Sequence, residues 1–126
     1  MLDDITPLIL TRDEAPNIAR TLGQLRWARD VVVVDSVSDD DTVAIARSFP
    51  NVRVVQRPFD SHAAQWQFGV EQVRTPWVLT LDARSDDATT RRELGLEPRP
   101  LDDTLKDTVR WMAASGVITE RQAGRI

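Results

Sequence analysis

The stretch Val31-Val32-Val33-Val34-Asp35-Ser36-Val37-Ser38-Asp39-Asp40-Asp41-Thr42 decides the fold. Four β-branched residues in succession fit a strand buried on both faces, as in a parallel sheet covered by helices, and not the alternation of a half-solvated strand. The apolar run stops at Asp35 and a polar turn follows. Ligands of open α/β sheets bind beyond the carboxyl ends of the strands, so the turn after Asp35 is the first place to expect one.

Before this strand, Ile5 to Leu10 reads as another, with Pro7 near its start, tolerable where a strand is short or locally unpaired. Thr11-Arg12-Asp13-Glu14 is the loop at its carboxyl end. Asp13 is the expected N-cap of a helix with Pro16 in its first turn and Ile18, Leu22, Leu25 and Trp27 on one face. After the acidic turn, Val43, Ile45, Ala46 and Phe49 mark a short helix that ends before Pro50, and Val52, Val54 and Val55 a third strand. Ser61 is placed to cap a helix carrying Trp66, Phe68, Val70 and Val73, broken by Thr75-Pro76. Trp77 to Leu81 is a fourth strand, ending at Asp82. Strands separated by helices predict right-handed βαβ units: an α/β, three-layer, Rossmann-like fold with a partial parallel sheet of about four strands. Three loops, Thr11–Glu14, Asp35–Thr42 and Asp82–Arg84, then meet at one rim.

The texture changes after Asp82. Ala83 to Thr90 reads as linker, Arg91 to Leu94 as a helical turn stopped by Gly95, and Glu97 to Pro100 as an extended connector. Leu101, Leu105, Val109 and Met112 form a helical stripe with Asp102 and Asp103 in the first turn and Gly116 as its stop; Thr119 to Ile126 reads as a frayed end. The expected division is a half-domain over 1–84 and a linker with a helical tail over 85–126. The tail helix is expected to cover the half-sheet, or two copies to pair there as a homodimer.

Composition narrows the function. A net charge of −4 and a pI near 4.9 argue against nucleic-acid binding. Cysteine is absent, which removes disulfides, thiolate metal sites and a Cys nucleophile. No apolar run is long enough for an integral membrane segment, and Met1-Leu2-Asp3-Asp4 lacks the character of a signal peptide; a cytoplasmic location is expected.

From about Ile5 to Arg84 the chain resembles the family 2 glycosyltransferases, whose GT-A-like fold holds a nucleotide-sugar donor. Their second loop runs roughly Asp-Asp/Ser-Gly-Ser-x-Asp-x-Thr. This chain keeps Asp35, Ser36, Ser38, Asp40 and Thr42 but has Val37 in place of Gly, and valine disfavours the positive φ that a glycine permits. The resemblance implies a nucleoside-diphosphate sugar bound by Thr11, Arg12, Glu14, Asp35, Ser36, Gln65, Asp82 and Arg84. Trp66 reads as core, and His62, the single histidine, as a surface residue at a helix start.

The family also implies Asp-x-Asp at the end of the fourth strand, its last acid holding Mg²⁺ or Mn²⁺ on the pyrophosphate. Here the stretch is Leu81-Asp82-Ala83-Arg84. A cation in the position of a carboxylate ligand implies weak or absent metal binding, hence no metal site; alternatively Arg84 pairs directly with phosphate. The acceptor-binding half, with its catalytic base, does not follow. Instead, residues from about 90 to 117 resemble the C-terminus of extended short-chain dehydrogenases that act as sugar-nucleotide epimerases. That likeness brings no active site, because there is no tyrosine for a Tyr-x-x-x-Lys pair. The chain is therefore expected to be glycosyltransferase-like, truncated, and weak or inactive as a transferase, with its catalytic residues unassigned. The alternative is a non-catalytic interaction domain, a product of fusion, that dimerises through its sheet edge or tail helix.

Overall fold

A computed structural model describes residues 2–83 and 100–123. The chain forms two compact units, residues 3–84 and residues 85–126 with the first two residues. Arg84, the linker, the Arg91–Gly95 turn and the connector up to Arg99 lie outside the described residues, as do the last three positions.

The first unit is built on β1 (Ile5–Thr11), α1 (Ala15–Gly23), β2 (Val31–Asp35), α2 (Thr42–Arg47), β3 (Val52–Gln56), α3 (His62–Gln72) and β4 (Trp77–Asp82). All strand pairs are parallel, in the order β3-β2-β1-β4. This is the α/β sheet expected from the valine run, and Val31 to Val34 are each 0% exposed. Leu8, Val32 and Val34 form one apolar cluster, against which Trp66, Phe68 and Val73 from α3 and the chain after it pack. The alternate residues Ile9, Val31 and Val33 are as fully buried, so the opposite face is covered too. The helices left for that face are α1 and α2, which contribute Ile18, Leu22 and Ala46 to the core.

Pro7 sits in a central strand, where its missing N–H has a specific remedy. The Thr11 carbonyl accepts from Ser36 N–H, so the backbone groups of Thr11, Ile9 and Pro7 point toward β2. The β1–β2 register begins only at Leu8, and Pro7 faces β2 one residue before the ladder starts.

Two local expectations are corrected. Asp13 does not cap α1; the N-cap is Glu14, and Asp13 adopts a left-handed conformation at φ 52°. The first amides of α1 are satisfied from the neighbouring loop: Glu14 N–H donates to Thr42 Oγ1 at 2.8 Å and Ala15 N–H to Asp40 Oδ2 at 3.1 Å. Ser61 does cap α3, accepting from Ala64 N–H at 3.1 Å.

The second correction lies in the other unit, with α4 (Leu101–Ala114) and α5 (Glu120–Ala123). Gly116 ends α4 at φ 74°, with Val117 N–H donating to the Met112 carbonyl and Gly116 N–H to that of Ala113, the paired bonds of a Schellman motif. The chain is not frayed from Thr119. Thr119 N–H donates to Gln122 Oε1 at 2.9 Å and Gln122 N–H returns to Thr119 Oγ1 at 3.2 Å. That reciprocal box starts α5, and Ala123 is buried with Val109 and Ile118.

Candidate functional site

Because the strands are parallel, the loops after β1, β2, β3 and β4 leave from the same rim of the sheet. A cavity of about 540 Å³ opens there, lined by Leu10, Thr11, Arg12, Glu14, Ser36, Phe59, His62, Gln65, Trp66, Leu81 and Asp82. Pockets of this size hold small organic ligands. The Thr11, Arg12, Glu14, Ser36, Gln65 and Asp82 singled out from the sequence thus lie on one wall system. Asp35 is not among the lining residues, and Arg84 lies outside the described residues.

Asp35 works from beneath. It is 0% exposed. Its Oδ1 accepts from Thr11 Oγ1 at 2.9 Å and Ser38 Oγ at 2.5 Å, and its Oδ2 from Ser38 N–H at 2.8 Å and Gln56 Nε2 at 3.3 Å. Burial alone pushes this carboxyl up, but the bonds from Ser38, Thr11 and Gln56 outweigh it and hold its pKa below the ordinary range. The charge anchors the loop from below.

The first two loops are clasped together. Arg12 Nη1 donates to the Ser36 carbonyl at 2.7 Å and also to the Val37 carbonyl; its Nη2 donates to Asp39 Oδ2 at 2.9 Å, and its Nε lies 3.3 Å from Asp13 Oδ2. Asp13 N–H donates to Ser38 Oγ, and Asp39 N–H to Asp13 Oδ1. Thr42 donates from N–H and Oγ1 to Asp40 Oδ1, which lowers the Asp40 pKa. Val37 keeps the glycine-like geometry at φ 60° despite its branched side chain.

Gln65 is buried and its amide is committed: Nε2 donates to Ser36 Oγ at 2.9 Å and to the Arg57 carbonyl at 3.1 Å, while Oε1 accepts from Arg57 Nη1 at 2.8 Å. It fixes the Ser36 hydroxyl from behind. Trp66 both packs on the core cluster and lines the cavity. Phe59, 52% exposed, meets His62 edge-on, ring centres 5.1 Å apart. Sequence reasoning passed over Phe59; the signal was its place in the loop after β3, at the same rim as the other loops.

The walls combine apolar rings with hydroxyls at Thr11 and Ser36 and carboxylates at Glu14 and Asp82. Such a site can hold a flat apolar group and accept hydrogen bonds from hydroxyls. Among the described residues, no three His, Cys, Asp or Glu side chains cluster to hold a metal ion.

The model of glycosyl transferase family 2 matches residues 8–95 of the chain. The chain belongs to glycosyl transferase family 2. The match runs past Arg84, where the sequence reading placed its end, and takes in residues 90–95 of the stretch that the sequence reading likened to a dehydrogenase tail. Among curated proteins, an uncharacterised glycosyltransferase of Rickettsia felis is 36% identical over 83 residues, 65% of this chain and 29% of that protein. The lipopolysaccharide core biosynthesis glycosyltransferase LpsC of Rhizobium meliloti is 29% identical over 83 residues, 63% of this chain and 31% of that protein. The chain thus spans under a third of the length of these relatives. Among the described residues, no helix is long and apolar enough to cross a membrane.

Proposed function

We propose that this chain binds the nucleoside part of a nucleoside-diphosphate sugar in the rim cavity, and that it has weak or no transferase activity by itself. The observation carrying this reading is the convergence of Thr11, Glu14, Ser36, Gln65 and Asp82 on one cavity in a chain of this family. The apolar rings suit a base, and the Glu14 and Asp82 carboxylates suit ribose hydroxyls. The diphosphate is less well served. Among the described residues, its charge meets a wall with those two carboxylates and one guanidinium, Arg12, already engaged by Asp13 and Asp39. Donor binding without turnover follows from that balance and from Arg84 in the position of a metal ligand. A cytoplasmic location fits this reading, and the stretch from about 90 to 117, likened from its sequence to a dehydrogenase tail, is read as adding no chemistry of its own.

Calorimetric titration with UDP, GDP, CDP and dTDP, with and without Mn²⁺, tests this. Binding of one of them with a micromolar to millimolar Kd, and little donor hydrolysis, is expected. No binding of any of the four overturns it.

A second reading rests on β4. Among the described residues β4 is an edge strand, and its Trp77 and Val78 are 38% and 39% exposed. An apolar edge strand is a pairing surface, which supports an interaction domain that forms a homodimer. Sedimentation equilibrium separates the two: a monomer at 100 μM or so, where a weak edge contact of about −5 kcal/mol would already show, rejects the dimer.

A further inference from the structure

We propose that Arg12 is a positioning residue, which holds the strained Ser36–Val37 turn and so places the Ser36 hydroxyl in the cavity, rather than a phosphate contact. This rests on the nucleotide reading above. Arginine in a phosphate site presents its planar fork to the ligand. Here the fork is turned onto the protein. Its Nη1 is shared between the carbonyls of Ser36 and Val37, its Nη2 is taken by Asp39, and its Nε lies against Asp13.

The two carbonyls are the telling partners. In extended chain, successive carbonyls point opposite ways. For Ser36 and Val37 to reach one nitrogen, the backbone must bend between them, and Val37 does so at φ 60°. A β-branched residue disfavours that conformation, which persists only when the surroundings hold it. From below, the turn is held by Asp35 through Ser38; from the front, by Arg12. Ser36 lies between these anchors, its Oγ receiving Gln65 Nε2. Loss of Arg12 therefore releases the turn and shifts Ser36, with an effect on the nucleoside and not on the phosphates.

The test compares the best-binding nucleoside diphosphate of the four with its nucleoside, and reads amide hydrogen exchange at Ser38 and Asp39. Arg12→Gln is expected to weaken both ligands by a similar factor, about tenfold, and to speed exchange of both amides. Val37→Gly in the same chain relieves the turn and is expected to restore at least half of each loss. Arg12→Lys, which keeps the charge and loses the fork, is the second variant should the first fail to fold; its expected pattern is the same but smaller. Loss confined to the diphosphate, or unchanged exchange in the Arg12 variants, overturns the proposal. If the unaltered chain binds no nucleotide, the nucleotide reading fails, while exchange and its recovery by Val37→Gly still decide whether Arg12 holds the turn.

Discussion

Thr11 and Asp35 are matched in register as the last rung between the two central strands, and their side chains are also joined, Thr11 Oγ1 donating to Asp35 Oδ1 at 2.9 Å. The rung fixes where β1 and β2 stop and their loops begin. Asp35→Ala leaves the buried Thr11 and the half-buried Ser38 donors without their acceptor, at a cost of about 3 kcal/mol. Thr11→Val removes one donor while Asp35 keeps Ser38 and Gln56, and costs about 1 kcal/mol. Urea unfolding of the two variants should rank them in that order; equal losses would contradict the central place given to Asp35.

The same carboxylate sets an acid dependence. Asp35 has a lower pKa folded than its ordinary 3.8, so the folded state binds fewer protons in that range. Its contribution is fully present above the unfolded value and is lost as pH falls through the lowered folded one. Asp40, held low by Thr42, and Asp60, held low by Arg57, act with the same sign. The urea midpoint should therefore fall as pH drops below about 4. In Asp35→Asn the fall should be shallower, because the buried carboxylate of the three no longer titrates; an unchanged slope would assign the acid limb to other groups.

What the sequence made legible, and what it did not, follows from the range of the interactions. Val31 to Val34 announced a strand covered on both faces because burial on two sides leaves no room for alternation. Parallel order then placed Thr11, Ser36 and Asp82 at one rim with no further information. The capping of α1 was not legible, since its acceptors, Thr42 and Asp40, come from a different loop, and a cap search looks only at the residue before the helix. The Thr119–Gln122 box was legible, as Thr-x-x-Gln is the local pattern for it, and was passed over. The division of labour in the site was not: Asp35 beneath and Ser36 within differ by one residue, and only the register decides which side chain reaches the cavity.

Val37 offers a direct measure of backbone strain. Its left-handed φ of 60° costs about 1–3 kcal/mol for a branched residue. Glycine removes that cost but loses about 0.5–1 kcal/mol through its greater freedom when unfolded. Val37→Gly should therefore stabilise the chain by about 1 kcal/mol, read as a higher urea midpoint with an unchanged slope. Destabilisation would mean that the exposed valine side chain contributes packing that outweighs its strain.

Arg84 is tested through the cation. If it stands where the family places a metal ligand, Arg84→Asp creates the missing carboxylate two residues after Asp82. Nucleoside diphosphate should then bind at least several-fold tighter with Mn²⁺ than without, whereas the unaltered chain shows little dependence. An Arg84→Asp chain that binds the nucleotide but ignores Mn²⁺ rejects the assignment of residue 84 to the metal position. Loss of binding with the substitution, in the absence of Mn²⁺, would favour direct pairing of Arg84 with phosphate.

Gly69 of α3 packs directly over Leu8 of β1. A Cβ built there would lie 2.8 Å from Leu8 Cδ1 and 2.9 Å from Cδ2. Alanine gains about 1 kcal/mol of helix propensity over glycine. Leu8, however, is 0% exposed and packed against Val32 and Val34, so its methyl groups have nowhere to swing. Overpacking of this kind costs about 1–3 kcal/mol. The balance makes Gly69→Ala destabilising by about 1 kcal/mol. Leu8→Ala alone should cost about 2–5 kcal/mol by leaving a cavity. In that background the clash is gone, and Gly69→Ala should become neutral or stabilising. A double-mutant cycle on urea midpoints reads the coupling, and additive effects would show that α3 accommodates the extra methyl without pressing on β1.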